Sequence, residues 1–524
     1  MKRTMISRAS MAFPLLVALL VVAPVAAHAS VEKVTTDDSY QFVLGSPGVV
    51  PSPGIFANDR GTAGLTIKVV TPPAKGVLSA PPDGMVGGFT YTPNDGTVIE
   101  DSFTYCLHSA GTCLSNVSRV SIKFRQLAIA SDFLATAVDM KLEAPEAKLI
   151  LDNDDDLAVN WSLLSKPRHG QLAQPSRLGV GFVYTPDPGF QGIDMFRYCL
   201  SRLSGSAADC ISQQAVVSIS IGDGGITRVG GADRFAVAAE VSRRGHPTGT
   251  APVMVASGEG YADALSAAPA AVKSGASLLL ATKAALPAAT AGEITRLQPM
   301  KVTVVGGPAA ISDGVVAEIK RLLPVGAQVE RIGGEDRFAV SRAIAKQFFG
   351  TSAHSFVTTG LNFPDALAAG AAAGSGGEPV LLVNGGADSV DAETKAALSG
   401  LATSRLAVVG GPNAVSGGME TSLKGLASVD RLMGADRYET AVSVAKAVFP
   451  TADTVYFTTG LNFPDALVGS VAAGAGHSPI YTVPGTCVPQ SVLDDMARLG
   501  AQHVVLLGGE RALSPAVEQL TPCD

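Results

Sequence analysis

Three arginines recur at near-constant intervals from residue 234 onward, each behind an aspartate and ahead of an aromatic ring: Asp233-Arg234-Phe235, Asp336-Arg337-Phe338 and Asp436-Arg437-Tyr438. A guanidinium presents its donors in a planar fork that matches carboxylate or phosphate oxygens two at a time. Arginine repeated in this way therefore suits recognition of an anion. The same residues have a structural use, because an Asp-Arg pair can brace a loop or an interface between copies. Further aspartates follow in each copy, Asp263, Asp365 and Asp465, the last two in Asn362-Phe363-Pro364-Asp365 and Asn462-Phe463-Pro464-Asp465. These carboxylates could serve acid–base chemistry, but one per copy at a helix start is what capping uses. Asn362 and Asn462 stand beside them as further polar candidates for a ligand.

No other constellation points to catalysis. H-E-x-x-H, G-x-S-x-G and G-x-x-x-x-G-K-[ST] are absent, and no Gly-Gly turn continues as G-x-G-x-x-G with an acidic residue downstream. The six cysteines, Cys106, Cys113, Cys199, Cys210, Cys487 and Cys523, form no C-x-x-C, and the seven histidines are scattered. Disulfides are therefore expected rather than zinc. Spacing alone leaves 15 pairings open. Two pairs lie at matching places in a duplicated segment, so Cys106–Cys113, Cys199–Cys210 and Cys487–Cys523 is the economical set. The expectation is a protein that is not an enzyme and has no cofactor and no resident metal.

Charge narrows the partners. With 39 basic and 46 acidic residues, the net charge of −7 excludes the basic stripe of a nucleic-acid binder. Residues 226–524 hold 22 Lys+Arg and 26 Asp+Glu, so an anionic ligand there needs local arginine clusters and not diffuse attraction. Apolar residues make up 47% of the 524 and charged ones 16%, which excludes an unfolded chain. Lys2, Arg3 and Arg8 precede an apolar stretch, Met11 to Ala27, that ends in Ala27-His28-Ala29. That pattern predicts a secretory signal peptide over 1–29, an address consistent with disulfides. No later run is long and apolar enough to span a membrane, and neither a lipid-attachment cysteine nor a sorting motif is present. The protein is expected to be secreted and either released or held at the surface without a covalent bond.

The elements that must carry these residues come as two sets of repeats. Residues 30–125 and 126–222 match, with Phe89-Thr90-Tyr91-Thr92-Pro93 and Phe103-Thr104-Tyr105-Cys106 answered by Phe182-Val183-Tyr184-Thr185-Pro186 and Phe196-Arg197-Tyr198-Cys199. Apolar residues at every second position predict half-buried strands, and Gly/Pro/Asp turns between them predict a β-sandwich in each repeat. From 226 the pattern changes to three copies, 226–324, 329–428 and 429–524. Short apolar runs such as Val253-Met254-Val255-Ala256 predict buried parallel strands alternating with helices. Gly306 and Gly410 are expected at positive φ where a strand turns sharply into a loop. In Asp436-Arg437-Tyr438-Glu439 the spacing predicts a capping box.

The two β repeats resemble the bacterial immunoglobulin-like and cadherin-like tandem repeats, through Ala57-Asn58-Asp59, Pro73-Ala74-Lys75-Gly76-Val77-Leu78 and Pro167-Arg168-His169-Gly170-Gln171-Leu172. In that family an Asp-rich turn can bind Ca²⁺, and Asp152-Asn153-Asp154-Asp155-Asp156 is the candidate run; Arg60-Gly61-Thr62 replaces it in the first repeat, so it is read as a solvated acidic turn, with a metal site as the alternative. The three later copies resemble the cell-wall-binding repeat type 2, through G-[GA]-x-D-R-[FY], T-G-x-N-F-P-D-A-L and V-V-G-G-P-x-A-[IV]-S. That resemblance implies three Rossmann-like modules around a pseudo-threefold axis, holding an exported protein of a Gram-positive bacterium to its wall through an anionic secondary polymer. It also implies that Pro379, Leu381 and Leu382, in Pro379-Val380-Leu381-Leu382, take part in binding the polymer. The three arginines and the two asparagines are the other polymer-binding candidates. Asp233, Asp336, Asp436, Asp263, Asp365 and Asp465 are expected in structural or interface roles. The whole chain reads as a non-catalytic wall anchor displaying two immunoglobulin-like modules that contact other surface proteins, with an accessory of a wall hydrolase, or a hydrolase, as the alternative.

Overall fold

The computed structural model describes residues 32–44, 46–79, 87–95, 97–127, 129–144, 160–173, 181–201, 210–261 and 263–523. The leader expected over 1–29 and the acidic turn at 152–156 lie outside the described residues. The chain forms two compact units, Met1–Arg125 and Gln126–Asp524.

In the first unit, strands Asp38–Val43, Ser118–Arg125, Glu100–Ser109 and Thr66–Thr71 make one sheet, and Gly48–Val50, Phe89–Pro93 and Gly76–Ser79 make another. Alternate residues of both sheets point into a common core, where Phe89, Tyr91, Phe103 and Tyr105 are fully buried. The Tyr91 ring lies over Gly76, where an added Cβ would stand 2.3 Å from it, so only glycine fits there. The Tyr91 hydroxyl donates to Asp101 at 2.8 Å, and that carboxylate also accepts from the backbone of Ala74 and Lys75.

The second unit begins with the same plan. Asn160–Ser165, Gly192–Ser201, Cys210–Ile221 and Asp132–Thr136 make one sheet, and Leu142–Ala144, Phe182–Pro186 and Gly170–Ala173 the other. Tyr184 lies over Gly170 and donates to Asp194 at 2.8 Å, repeating the Tyr91–Asp101 bond. Disulfides join Cys106 to Cys113, Cys199 to Cys210 and Cys487 to Cys523.

The rest of this unit contains twelve helices among the described residues: α1 Arg234–Gly245, α2 Ala267–Ser274, α3 Ala288–Leu297, α4 Asp313–Leu322, α5 Arg337–Phe349, α6 Pro364–Gly376, α7 Ala392–Gly400, α8 Gly417–Lys424, α9 Arg437–Val448, α10 Pro464–Ala475, α11 Gln490–Leu499 and α12 Pro515–Glu518. They flank three sheets of four parallel strands each. The central strands, such as Val253–Ser257 and Leu406 to Val409, are buried throughout, as strands covered on both faces must be. α6 and α10 start at Pro364 and Pro464, where the missing N–H costs nothing.

Sheet membership does not follow the sequence repeat. Gln328–Ile332, the opening strand of copy two, pairs with Lys301–Val305 of copy one, and Ser428–Leu432 of copy three pairs with Arg405–Val409 of copy two. Ile226–Val229, the opening strand of copy one, pairs with His503–Leu507 of copy three. The boundaries at 226, 329 and 429 therefore mark repeats in the sequence, while each sheet is finished by the copy that follows. The ring closes on itself.

At its centre α2, α6 and α10 pack against one another. Small residues permit the approach: a Cβ on Gly474 would stand 3.1 Å from Val272 and 3.2 Å from the Ala371 carbonyl. Tyr261, Phe363 and Phe463, one ring from each copy, meet with centroids 5.6, 5.7 and 5.8 Å apart. Three nearly equal distances between equivalent residues define an approximate threefold axis.

The β region of this unit is packed onto copy three. Ile193, Met195 and Val216 join the same continuous core as the α/β copies. Arg168 donates to the Arg498 and Leu499 carbonyls at the end of α11, and Arg197 to the Asp494 carbonyl. Gln490 accepts from the Ser131 hydroxyl at 2.7 Å.

Candidate functional site

The residues with chemistry gather where one copy meets the next. Asp233, Asp336 and Asp436 are N-caps: each carboxylate accepts backbone N–H groups of the first turn of α1, α5 or α9. The capping box expected at Asp436 is only half present. Asp436 accepts from Tyr438 and Glu439, but it is Thr440 that reaches back, accepting from the Gly434 N–H at 3.2 Å.

The cap aims the following arginine. Arg337 Nη1 donates to the Gly360 carbonyl at 2.6 Å, and Arg234 and Arg437 donate in the same way to Gly258 and Gly460. Each guanidinium is thus fixed by the glycine ending the first central strand of its own copy, while its far side faces a neighbouring copy. Arg337 lies 5.6 Å from the Tyr261 ring of copy one, and Arg234 lies 5.8 Å from the Phe463 ring of copy three. Among the described residues, Nε and Nη2 of these arginines make no hydrogen bond.

Opposite them stand the second set of aspartates, and here the capping expectation is corrected. The residues preceding α6 and α10 are Phe363 and Phe463, and that before α2 is Ser266; none gives a side-chain cap. Asp365 and Asp465 lie inside the first turn and Asp263 precedes its helix, all three turned towards the strand-to-loop glycines. A Cβ on Gly306, Gly410 or Gly508 would stand 2.6, 2.6 or 2.7 Å from the respective aspartate oxygen. These glycines have φ of 104°, 115° and 114°. Burial pushes all three carboxyls above the usual carboxylate range. The arginine of the next copy draws each back: Arg337 acts on Asp263, Arg437 on Asp365 and Arg234 on Asp465. Among the described residues no direct ion pair forms between these partners, so each junction keeps an arginine and a carboxylate facing each other without a bond.

Two junctions open as clefts. That between copies one and two is about 580 Å³ and includes Asp263, Lys283, Asp336 and Arg337. That between copies three and one is about 160 Å³ and includes Asp233, Arg234, Asn462 and Asp465. Lys283 stands where copies two and three have Gly385 and Gly485, as the matching bonds from Ser312, Ser416 and Ser514 show. Asn362 and Asn462 are exposed on the adjoining loops. The structure does not bring Pro379, Leu381 and Leu382 to these surfaces. Pro379 is buried and the leucines are fully buried in strand Val380–Val383, where they hold the sheet.

A second arginine set carries a structural role that its motif alone does not state. Arg228, Arg331 and Arg431 donate to the carbonyls of Gly508, Gly306 and Gly410 in the preceding sheet, clamping each exchanged strand. They open the same Gly-containing motif as the first set. Their once-per-copy recurrence was the available signal.

Residues 228–316, 331–420 and 431–518 each match the family described as cell wall binding domain 2, together half of the chain. The chain belongs to that family. The cell-wall-binding repeats associate it with the cell wall. N-acetylmuramoyl-L-alanine amidase LytC of Bacillus subtilis (strain 168) is 28% identical over 301 residues, 57% of this chain and 59% of that protein. The amidase enhancer of the same organism is 30% identical over 261 residues, 49% of this chain and 35% of that one. The chain thus spans about a third to three-fifths of the curated relatives it matches. Among solved structures, Cwp6 from Clostridium difficile superposes with a TM-score of 0.53 at 21% identity, covering 76% of this chain and 68% of Cwp6. Cwp8 from the same organism gives 0.52 at 21% identity, covering 87% and 79%. Both are likenesses of fold. No helix among the described residues is long and apolar enough to cross a membrane.

Proposed function

We propose that this cell-wall-binding chain is an exported, non-catalytic surface protein held without a covalent bond by an anionic secondary wall polymer. We further read its two β regions as immunoglobulin-like modules that the anchor displays. The observation that carries the polymer reading is the placement of one carbonyl-fixed arginine at every junction of the ring, its remaining donors turned to a neighbouring copy. A region of net negative charge cannot hold a polyanion by its overall field, whereas a fixed guanidinium can pair with one phosphate or carboxylate at a time. The aspartate opposite accepts a sugar hydroxyl, so a glycan bearing spaced acidic groups fits the junction's chemistry.

The test is retention of R234A, R337A and R437A, singly and together, on purified walls. Removing one charge-assisted bond should weaken binding about tenfold, and the triple variant should stay in solution. A folded triple variant retained like the native chain would overturn the assignment. A second reading, an accessory to a wall hydrolase, draws on the two amidase-related proteins that match the repeat region. Soluble muropeptides released from peptidoglycan by the purified chain, or faster release by an added amidase, would favour it.

A further inference from the structure

The three copies differ at one place on their outer helices. Leu297, Leu401 and Leu499 are equivalent, since their carbonyls accept from Thr250, Ser352 and Ala452. In copy one this fixes Glu293 and Arg296 on α3. Glu293 is 2% exposed, pairs with Arg296 at 2.7 Å and lies 3.6 Å from Arg243 of α1. Copy three repeats the arrangement on α11, with the fully buried Asp495 paired to Arg498 at 2.5 Å. In copy two the same positions on α7 are Ala397 and Gly400. Acid and arginine have been deleted together.

What remains is a cleft of about 540 Å³ between α5 and α7, lined by Arg342, Lys346, Ala397, Gly400 and Leu401, with the exposed Glu393 also in its lining. Lys346 stands where copy one has Arg243, the outer partner of Glu293. It has no ion pair among the described residues. Arg342 is tied on one side to Asp391 at 3.4 Å and to Thr394 at 3.3 Å. The cleft therefore keeps a cation that in copy one meets a buried carboxylate, and it lacks the carboxylate. Its volume falls in the range of small-molecule sites, and alanine and leucine supply the apolar wall such sites use. In copy three the corresponding outer face carries the docked β region, through Arg197 on Asp494, so only copy two leaves the position open to a ligand among the described residues.

We propose that this cleft binds a carboxylate carried on a compact, partly apolar body, the ligand's carboxylate taking the place that Glu293 and Asp495 fill in the other copies. Such a group can come from an acidic sugar or from the carboxyl end of a peptide. The inference does not rest on the polymer reading, and failure of the chain to bind walls would leave it standing.

The experiment titrates the full chain by calorimetry with N-acetylmuramic acid and N-acetylalanine. N-acetylglucosamine and N-acetylalaninamide serve as partners lacking the carboxylate. At least one acid should bind, with its uncharged partner weaker by about tenfold, the worth of one charge-assisted bond. Response to one acid alone assigns the source. The double variant A397E/G400R rebuilds the pair of copy one, and a Cβ on Gly400 meets nothing within 4 Å, so it should fold and abolish binding. K346A, an exposed substitution, should weaken binding about tenfold by the same reasoning. Binding of neither acid, equal binding of acids and uncharged partners, or undiminished binding by folded A397E/G400R would each overturn the proposal.

Discussion

The two β regions share a plan and differ in what their outer sheet offers. In the region following Gln126, Ile193, Met195 and Val216 enter the core of the α/β ring, and Arg168 covers the end of α11. The matching positions of the first unit are Glu100, Ser102 and Arg119 by the shared Phe103/Phe196 and Asp38/Asp132 registers, and Ala74 by the backbone bonds to Asp101 and Asp194. Glu100 and Arg119 are exposed. Phe89, Tyr91, Phe103 and Tyr105 are buried in one region as Phe182, Tyr184, Phe196 and Tyr198 are in the other, so the inner face sets the fold and a few outer residues decide attachment. One region is built into the ring. The other carries no apolar equivalent of that docking face.

The comparison can be broken most severely by giving the second region the first region's residues. I193E/M195S should cost about 3–5 kcal/mol by removing two buried apolar side chains and burying an unpaired carboxylate. Denaturant unfolding should then show the β region melting ahead of the ring; an unchanged single transition would contradict docking. The shared interior is probed by G76A and G170A, each forcing a methyl into a tyrosine ring. Both should lose about 1–3 kcal/mol, and a loss in only one would show that the regions differ inside as well as outside. R168A removes the donors to the Arg498 and Leu499 carbonyls and should cost about 1–2 kcal/mol in the second unit alone.

The smallest effect concerns pH. Burial, reinforced by the Asp59 carboxylate, pushes Asp38 up to about 6 from 3.8, although the Tyr105 hydroxyl donates to it. The folded first unit therefore holds a proton that the unfolded chain has released. Stability from this group is fully present below about 4 and is lost as pH rises towards 6. D38N should flatten the fall in amide protection of strands Asp38–Val43 and Ser118–Arg125 over that window, and an unaltered slope would remove Asp38 as its cause.

Much of the scaffold was legible because periodicity reports burial directly. The alternation of Phe89/Tyr91 and Phe103/Tyr105 gives side chains that are fully buried, and Asp436 caps its helix as its spacing suggested, with Asp233 and Asp336 doing the same in the other copies. Gly306 and Gly410 do take positive φ. The exchange of strands was not legible. An apolar run such as Val304-Val305 states that it is buried between neighbours, not which neighbours, and only the closed ring decides that Ile226–Val229 belongs with His503–Leu507. The placement of Asp263, Asp365 and Asp465 opposite arginines of the next copy was hidden for the same reason: a sequence motif describes one copy, and the site lies between two. Leu381 and Leu382, singled out by resemblance, are inside because their strand is covered on both faces.

The central claim, that the ring of three copies grips an acidic polymer of the envelope, is tested most directly by mixing the full chain with sacculi before and after chemical removal of their secondary polymers. The account predicts sedimentation with the intact sacculi and loss from the stripped ones. Equal sedimentation with both would contradict it.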